Sequence, residues 1–141
     1  MTRSLRTVLC TAALGGILVA SAALAGSPAK QTATQFYMAY RAAFDKASKI
    51  DDILPYMSAE RRKEVASTPA EDRDKMFGMI KMMDTHTKVK VLREDTQADG
   101  SVVLGVSAYD TGQKKDVSAK VTVVKEDGAW KLSKESWTSG P

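Results

Sequence analysis

Residues 68–83 read TPAEDRDKMFGMIKMM, from Thr68 to Met83, and the fold turns on this segment. Thr68-Pro69-Ala70-Glu71 predicts a capping box with proline at the first helical position. In that arrangement the Thr68 hydroxyl accepts from the Glu71 N–H, and the Glu71 carboxylate reaches back to the Thr68 N–H. Asp72 and Asp74 add negative charge near the helix N-terminus, where the dipole favours it. Met76, Met79, Ile80 and Met83 then recur at helical spacing with Phe77 beside them, so this stripe is expected to face the core. Burying a Met or Phe side chain contributes about 1.5–3 kcal/mol. Together the stripe would supply roughly 10 kcal/mol before entropy is subtracted, comparable to the net stability of a whole domain.

Upstream of this segment the pattern is helical. Ser27-Pro28 is expected to open a first helix, with serine as N-cap and proline in the first turn. Phe36, Tyr40, Ala43, Phe44 and Ala47 lie on one face of it, while Tyr37 and Arg41 fall off that face. Ser48 is expected to cap a short turn over Ile50–Leu54, which Pro55 breaks, with Asp51-Asp52 in its first turn. Ser58 should cap a polar surface helix running to about Ala66.

Downstream the period switches from helical to two. Thr85, Thr87, Val89 and Val91 alternate with His86, Lys88 and Lys90, which puts His86 on the polar side. Asp99-Gly100 then signals a tight turn, Thr111-Gly112 a looser one and Asp127-Gly128 another tight one. Between them Val102, Leu104, Val106 and Ala108 share one face, as do Val117, Ala119, Val121 and Val123, then Trp130 and Leu132. The expected fold is α+β: N-terminal helices packed on one face of a four-stranded antiparallel meander.

The ends and the composition narrow the function. Arg3 and Arg6, the apolar run Val8–Ala20 and Ala23-Leu24-Ala25 predict a secretory signal peptide cleaved after Ala25. That leaves residues 26–141 as a single domain in the periplasm or outside the cell, with no membrane attachment after cleavage. The one cysteine, Cys10, lies inside the apolar run and lacks the small residues that precede a lipidated cysteine, so the mature domain has no disulfide. Losing Arg3 and Arg6 takes the basic count from 21 to 19 against 17 acidic residues, so the net charge falls from +4 to +2. Charges of both signs interleave, and no one-signed patch with stacking aromatics suggests nucleic acid as a partner. One histidine and no mature cysteine exclude Cys/His nucleophilic sites and ordinary zinc sites. The nine glycines form no phosphate loop.

The segments Phe36-Tyr37-Met38-Ala39-Tyr40, Asp51-Asp52-Ile53-Leu54 and Pro55-Tyr56-Met57-Ser58-Ala59-Glu60 carry a family resemblance. So does the ending Val123-Val124-Lys125-Glu126-Asp127-Gly128-Ala129-Trp130-Lys131-Leu132. With the order of helices followed by a meander, the domain resembles the nuclear transport factor 2-like (cystatin-like α+β) superfamily, in particular its small exported bacterial members. The resemblance implies a cone-shaped cavity between helices and sheet, with Phe36, Tyr40, Tyr56, Met79 and Trp130 as its expected lining. Enzymes of this fold such as the ketosteroid isomerases use a first-helix tyrosine, an aspartate base and a second acid. Tyr40 matches the tyrosine, but Glu60 and Glu64 sit among exposed cations where the base belongs, and the strand valines bring no carboxylate inward.

The expected function is therefore an exported, non-catalytic small-molecule-binding or protein-interaction module without a cofactor. A homodimer through the outer sheet face, weakly basic through Lys88, Lys90, Lys120 and Lys131, is a further expected partner. One alternative is a degenerate cavity enzyme using Tyr40. The other is Cu(I) binding by Met79, Met82, Met83 and His86, which the expected burial of the methionine stripe opposes. N-terminal sequencing of the exported protein should begin at Gly26; a chain beginning at Met1 would overturn the cleavage reading.

Overall fold

The computed structural model describes residues 31–139, so the expected signal peptide and the Ser27-Pro28 helix start lie outside the described residues. The element order is α1 (Ala33–Lys46), two 3-10 turns (Ile50–Asp52 and Leu54–Tyr56), α2 (Ala59–Ser67), α3 (Ala70–Met83), then β1 (His86–Thr96), β2 (Val102–Asp110), β3 (Lys115–Glu126) and β4 (Ala129–Ser139). The strands form one antiparallel sheet in the order β1-β2-β3-β4. The chain is thus an α+β domain, three helices followed by a four-stranded meander. Asp127 and Gly128 both take positive φ in the β3–β4 hairpin, the conformation that a two-residue Asp-Gly turn requires.

The inner sheet face is as apolar as its alternation predicts: Val102, Leu104, Val106, Val121, Val123 and Leu132 are buried with Phe36, Tyr40 and Phe44 of α1. α1 opens at Thr32, whose hydroxyl accepts from Gln35 N (3.1 Å) while Gln35 Oε1 accepts from Thr32 N (3.0 Å). Its buried face is wider than expected, because Tyr37 and Arg41 are buried too. Ahead of the first 3-10 turn the carboxylate of Asp52 reaches back to Ser48 N and Lys49 N (2.9 and 3.1 Å), so Ser48 is a donor and not the cap. Ser58 caps α2 as expected, and α2 buries none of its residues. Strand carboxylates dock two helix starts: Glu94 Oε2 accepts from Thr34 Oγ1 (2.6 Å) and Glu126 Oε1 from Ala59 N (2.8 Å).

α3 departs from its sequence reading at both of its decisive points. The capping box does not form. Only Thr68 and Pro69 separate α2 from α3, so Thr68 is spent closing α2, its N–H donating to the Val65 carbonyl, and Pro69 is the N-cap without a side-chain cap bond. Nor is the methionine stripe core. Phe77 is 1% exposed, whereas Met76, Met79, Ile80, Met82 and Met83 are 43%, 58%, 46%, 78% and 70% exposed.

What holds α3 is one aromatic ring and two cations. Phe77 meets Phe44 edge-on with centroids 5.7 Å apart. The Lys81 ammonium donates to the carbonyls of Phe44, Asp45 and Ala47 (2.9, 2.8 and 2.9 Å), capping the end of α1, where the Phe44 carbonyl also accepts from Ala47 N. Arg73 does the same for α2 through the carbonyls of Thr68 (2.7 Å) and Ala66 (3.1 Å). The helix needs only Phe77 inside because these clamps fix its position, which leaves the thioethers free for solvent.

Urea unfolding of two variants tests this arrangement. Phe77→Ala should cost about 3–5 kcal/mol, and Met82→Gln less than about 0.5 kcal/mol. Equal losses would restore the buried stripe.

Candidate functional site

The space between α1 and the sheet is filled by Phe36, Tyr40, Phe44 and the strand valines. Open room lies instead between α2 and α3, in two recesses of about 340 and 280 Å³ that share Tyr40, Phe44, Arg61 and Ile80 as common walls. The larger is walled mainly by Ile50, Ile53, Met57, Val65, Met76 and Phe77, with Glu64 and Thr68 also at its border. The smaller ends on Arg41, Asp84, His86, Glu135 and Trp137, beside Met83. The two recesses of this groove share a wall and are both mostly apolar, with Arg41, Asp84 and Glu135 gathered at the smaller one.

Two breaks in strand register build the polar end. Along β4, Leu132 pairs with Val123 but Lys134 pairs with Thr122, so Ser133 is an extra residue. Beyond this bulge the parity flips, and Glu135 and Trp137 turn inward where Lys134 and Ser136 would have been. In β1 a bulge at Lys88 (φ 53°) turns His86 inward with Val89 and Val91, and leaves Thr87 outside, the reverse of the expected alternation. Two off-register strands thus deliver a carboxylate, an indole and an imidazole to the same end of the sheet.

Arg41 organises them. Its Nη1 lies 2.8 Å from Asp84 Oδ2 and 3.8 Å from Glu135 Oε1, with the side chains of Arg41 and Asp84 only 7% and 13% exposed. Its Nε, fully buried, donates to nothing among the described residues. The other oxygen of Asp84, Oδ1, accepts from His86 N (3.1 Å) and His86 Nδ1 (2.8 Å). An ionised carboxylate can only accept, so Nδ1 carries the proton of that contact, and Nε2 is the ring nitrogen with no hydrogen-bond partner among the described residues. The imidazole stacks on Trp137 at a centroid distance of 3.9 Å. Glu135 Oε1 accepts from the Tyr37 hydroxyl (2.7 Å) and Trp137 Nε1 (3.1 Å).

The ionisation states follow from these contacts. Burial works against the charge of Arg41, but Asp84 and Glu135 outweigh it and hold the guanidinium pKa above its ordinary value. Burial likewise opposes the Asp84 carboxylate, and the Arg41 and His86 donors outweigh it, so its pKa lies below the usual range. Burial, reinforced by the Glu135 charge, pushes the Tyr37 and Tyr40 hydroxyls well up, so both remain protonated donors. Tyr37 spends its proton on Glu135. The Tyr40 hydroxyl and Glu135 Oε2 have no hydrogen-bond partner among the described residues. A donor and an acceptor therefore remain for a third party.

Of the residues expected to line a cavity, Tyr40 borders the groove. Phe36 and Tyr56 pack against each other with centroids 6.2 Å apart, and the Trp130 indole donates to the Gln31 carbonyl (2.8 Å) beneath the Lys125 ammonium, where it locks the start of α1 to β4. Met79 lies on the open face of α3. Of the expected metal ligands, Met83 and His86 share the polar recess, and Met79 and Met82 stand outside it. Among the described residues no group of three His, Cys, Asp or Glu is arranged to hold a metal. The sequence reading left out Tyr37, Arg41, Asp84, Glu135 and Trp137. Trp137 carried the missing signal, since an aromatic out of step with Trp130 and Leu132 marks a change of parity between them.

No protein-family model matches the chain, and no curated protein matches it. Among solved structures it is similar to the intermembrane space region of the chloroplast protein ARC6, at 11% identity over 78% of this chain and 99% of that one, with a TM-score of 0.38. A likeness at that level carries no argument about family or function.

Asp84→Asn measures what the cluster contributes. The folded-state pKa of Asp84 is depressed, so its contribution is complete above the ordinary carboxylate range and disappears as pH falls through the lower folded value. Removing one partner of a buried pair costs about 3 kcal/mol. Urea unfolding should show that loss near neutral pH and a difference from the parent that shrinks as pH falls below the ordinary carboxylate range. A difference independent of pH would remove the ion pair from the account.

Proposed function

We propose that the chain is an exported, non-catalytic binding module of nuclear transport factor 2-like kind that holds a small amphipathic molecule in the groove between α2 and α3. The observation that carries this reading is the pair of unpartnered polar groups, the Tyr40 hydroxyl and Glu135 Oε2, set where an apolar trough ends. Such a trough, mostly apolar with a few convergent polar groups, matches the size and make-up of small-molecule sites. The ligand this chemistry fits has an apolar body and a head with both a donor and an acceptor. The outer sheet face supports a self-associating role less well, because Arg93, Lys120 and Lys134 line its recess and a face-to-face pair would bring like charges together.

An enzyme using Tyr40 is the competing reading, and the two carboxyl groups at the groove favour it. General acid–base work needs a group whose pKa lies near the working pH. Asp84 is displaced the other way from the raised carboxyl that isomerase chemistry uses, and both tyrosines are held protonated. Binding without turnover accounts for this set of charges.

Native mass spectrometry of protein purified from its exporting host tests the proposal. A retained small molecule is expected, and Tyr40→Phe should weaken its retention roughly fivefold, the worth of one hydrogen bond. Because that hydroxyl bonds no protein group among the described residues, the same variant should keep its thermal stability within about 0.5 kcal/mol. A ligand-free spectrum, or retention indifferent to Tyr40→Phe, would sink the reading.

A further inference from the structure

The exposed face of α3 asks for an explanation that the groove does not supply. Four methionines in eight residues, Met76, Met79, Met82 and Met83, are exposed; Met76 and Met83 edge the two recesses, while Met79 and Met82 border neither. We propose that the C-terminal end of α3 and the strand after it form a site for a soft monovalent metal, Cu(I), with Met79, Met83 and His86 as its ligands.

The juxtaposition begins with the imidazole. Asp84 takes Nδ1 at 2.8 Å and Trp137 stacks on the ring, so the ring is fixed in plane and tautomer with Nε2 left over. A carboxylate behind the far nitrogen is the arrangement that orients a metal-binding histidine and raises its basicity. Met83 borders the same recess as His86, from the last turn of α3. Met79 lies one turn earlier on the same helix face, where residues four apart come within about 5–6 Å at Cβ. Met82 lies about 100° around the helix from Met83 and, at 78%, is the most exposed of the four. It therefore falls outside the set.

Charge and softness agree on the occupant. The helix C-terminus presents its negative dipole end to this spot, and the neighbouring Asp84 and Glu135 carboxylates face Arg41 as their buried cation, with Arg61 across the recess and Lys88 past His86. Two thioethers and an imidazole nitrogen form a soft donor set, which selects Cu(I) over harder ions. Among the described residues no group of three His, Cys, Asp or Glu offers a divalent ion a rival site. If a plain apolar face were all that α3 required, leucine would serve at every one of these positions.

Anaerobic titration of the mature protein with Cu(I), in competition with a colorimetric Cu(I) chelator, tests the site. One equivalent should bind. Met79→Leu, Met83→Leu and His86→Phe should each weaken it at least about tenfold, and Met82→Leu should leave it unchanged. X-ray absorption at the copper edge should report two sulfur scatterers and one nitrogen. The leucines keep the face apolar, so each removes one donor atom and little else, whereas the phenylalanine keeps the stack on Trp137 but gives up the Nδ1 bond to Asp84 together with Nε2. A second copy of the chain packing on this face would be indifferent to them, and any dimer would persist in gel filtration. Failure to take copper from the chelator overturns the proposal. So does full affinity in any one of the three ligand variants, or an equal loss in Met82→Leu, which would mean scattered surface thioethers. Tyr40→Phe should not alter copper affinity, which separates this result from the fate of the amphipathic ligand.

Discussion

Placing the Arg41 guanidinium inside the domain is the constraint on which the rest of the structure depends. A buried cation is tolerated only with opposite charge in contact. Here the compensation comes from two distant parts of the chain, Asp84 at the joint between α3 and β1 and Glu135 near the end of β4. The pairing ties the first helix to the last strand and fixes where the helical half of the chain hands over to the sheet. It also gathers Tyr37, His86 and Trp137 around the same atoms, because each bonds or stacks on a member of the pair.

Much of the architecture was legible in the sequence, and the polar site was not. Alternation along β2 and β3 named the inner face residue by residue, since an uninterrupted strand with one buried face leaves little choice of register. The same rule misassigned His86 and was silent on Glu135, because each lies beyond an inserted residue that reverses the alternation. A bulge marks a single sequence only indirectly, as where Trp137 falls out of step with Trp130 and Leu132. Tyr37 and Arg41 were set outside the buried face of α1 because a polar side chain is priced by its partners, and the partners sit about 43 to 98 positions away, out of reach of local pattern.

α3 shows the complementary failure. Its apolar stripe has the correct period for a core helix, yet only Phe77 is enclosed. Periodicity reports which residues share a face and says nothing of whether another element covers that face. The clamps that seat the helix, Lys81 on the end of α1 and Arg73 on the end of α2, use charge against orphan carbonyls and have no apolar signature. Methionines at helical spacing therefore do not distinguish a core stripe from an exposed one, and here they mark a surface.

The bulges have one more consequence, at the borders of the sheet. An edge strand with a regular row of free N–H and C=O groups is a template on which a second chain can add. β4 is partly covered, since Ser58 N donates to the Leu132 carbonyl (2.9 Å) and Lys131 reaches the Pro55 carbonyl. β1 is interrupted twice, at Lys88 and again at Leu92, and carries Lys88, Lys90 and Arg93 along it. The distortion that turns His86 inward thus also spoils that border as a template for fibrous assembly. A repair that made β1 regular would unmake the polar site and, in the same stroke, give the protein a route to aggregation.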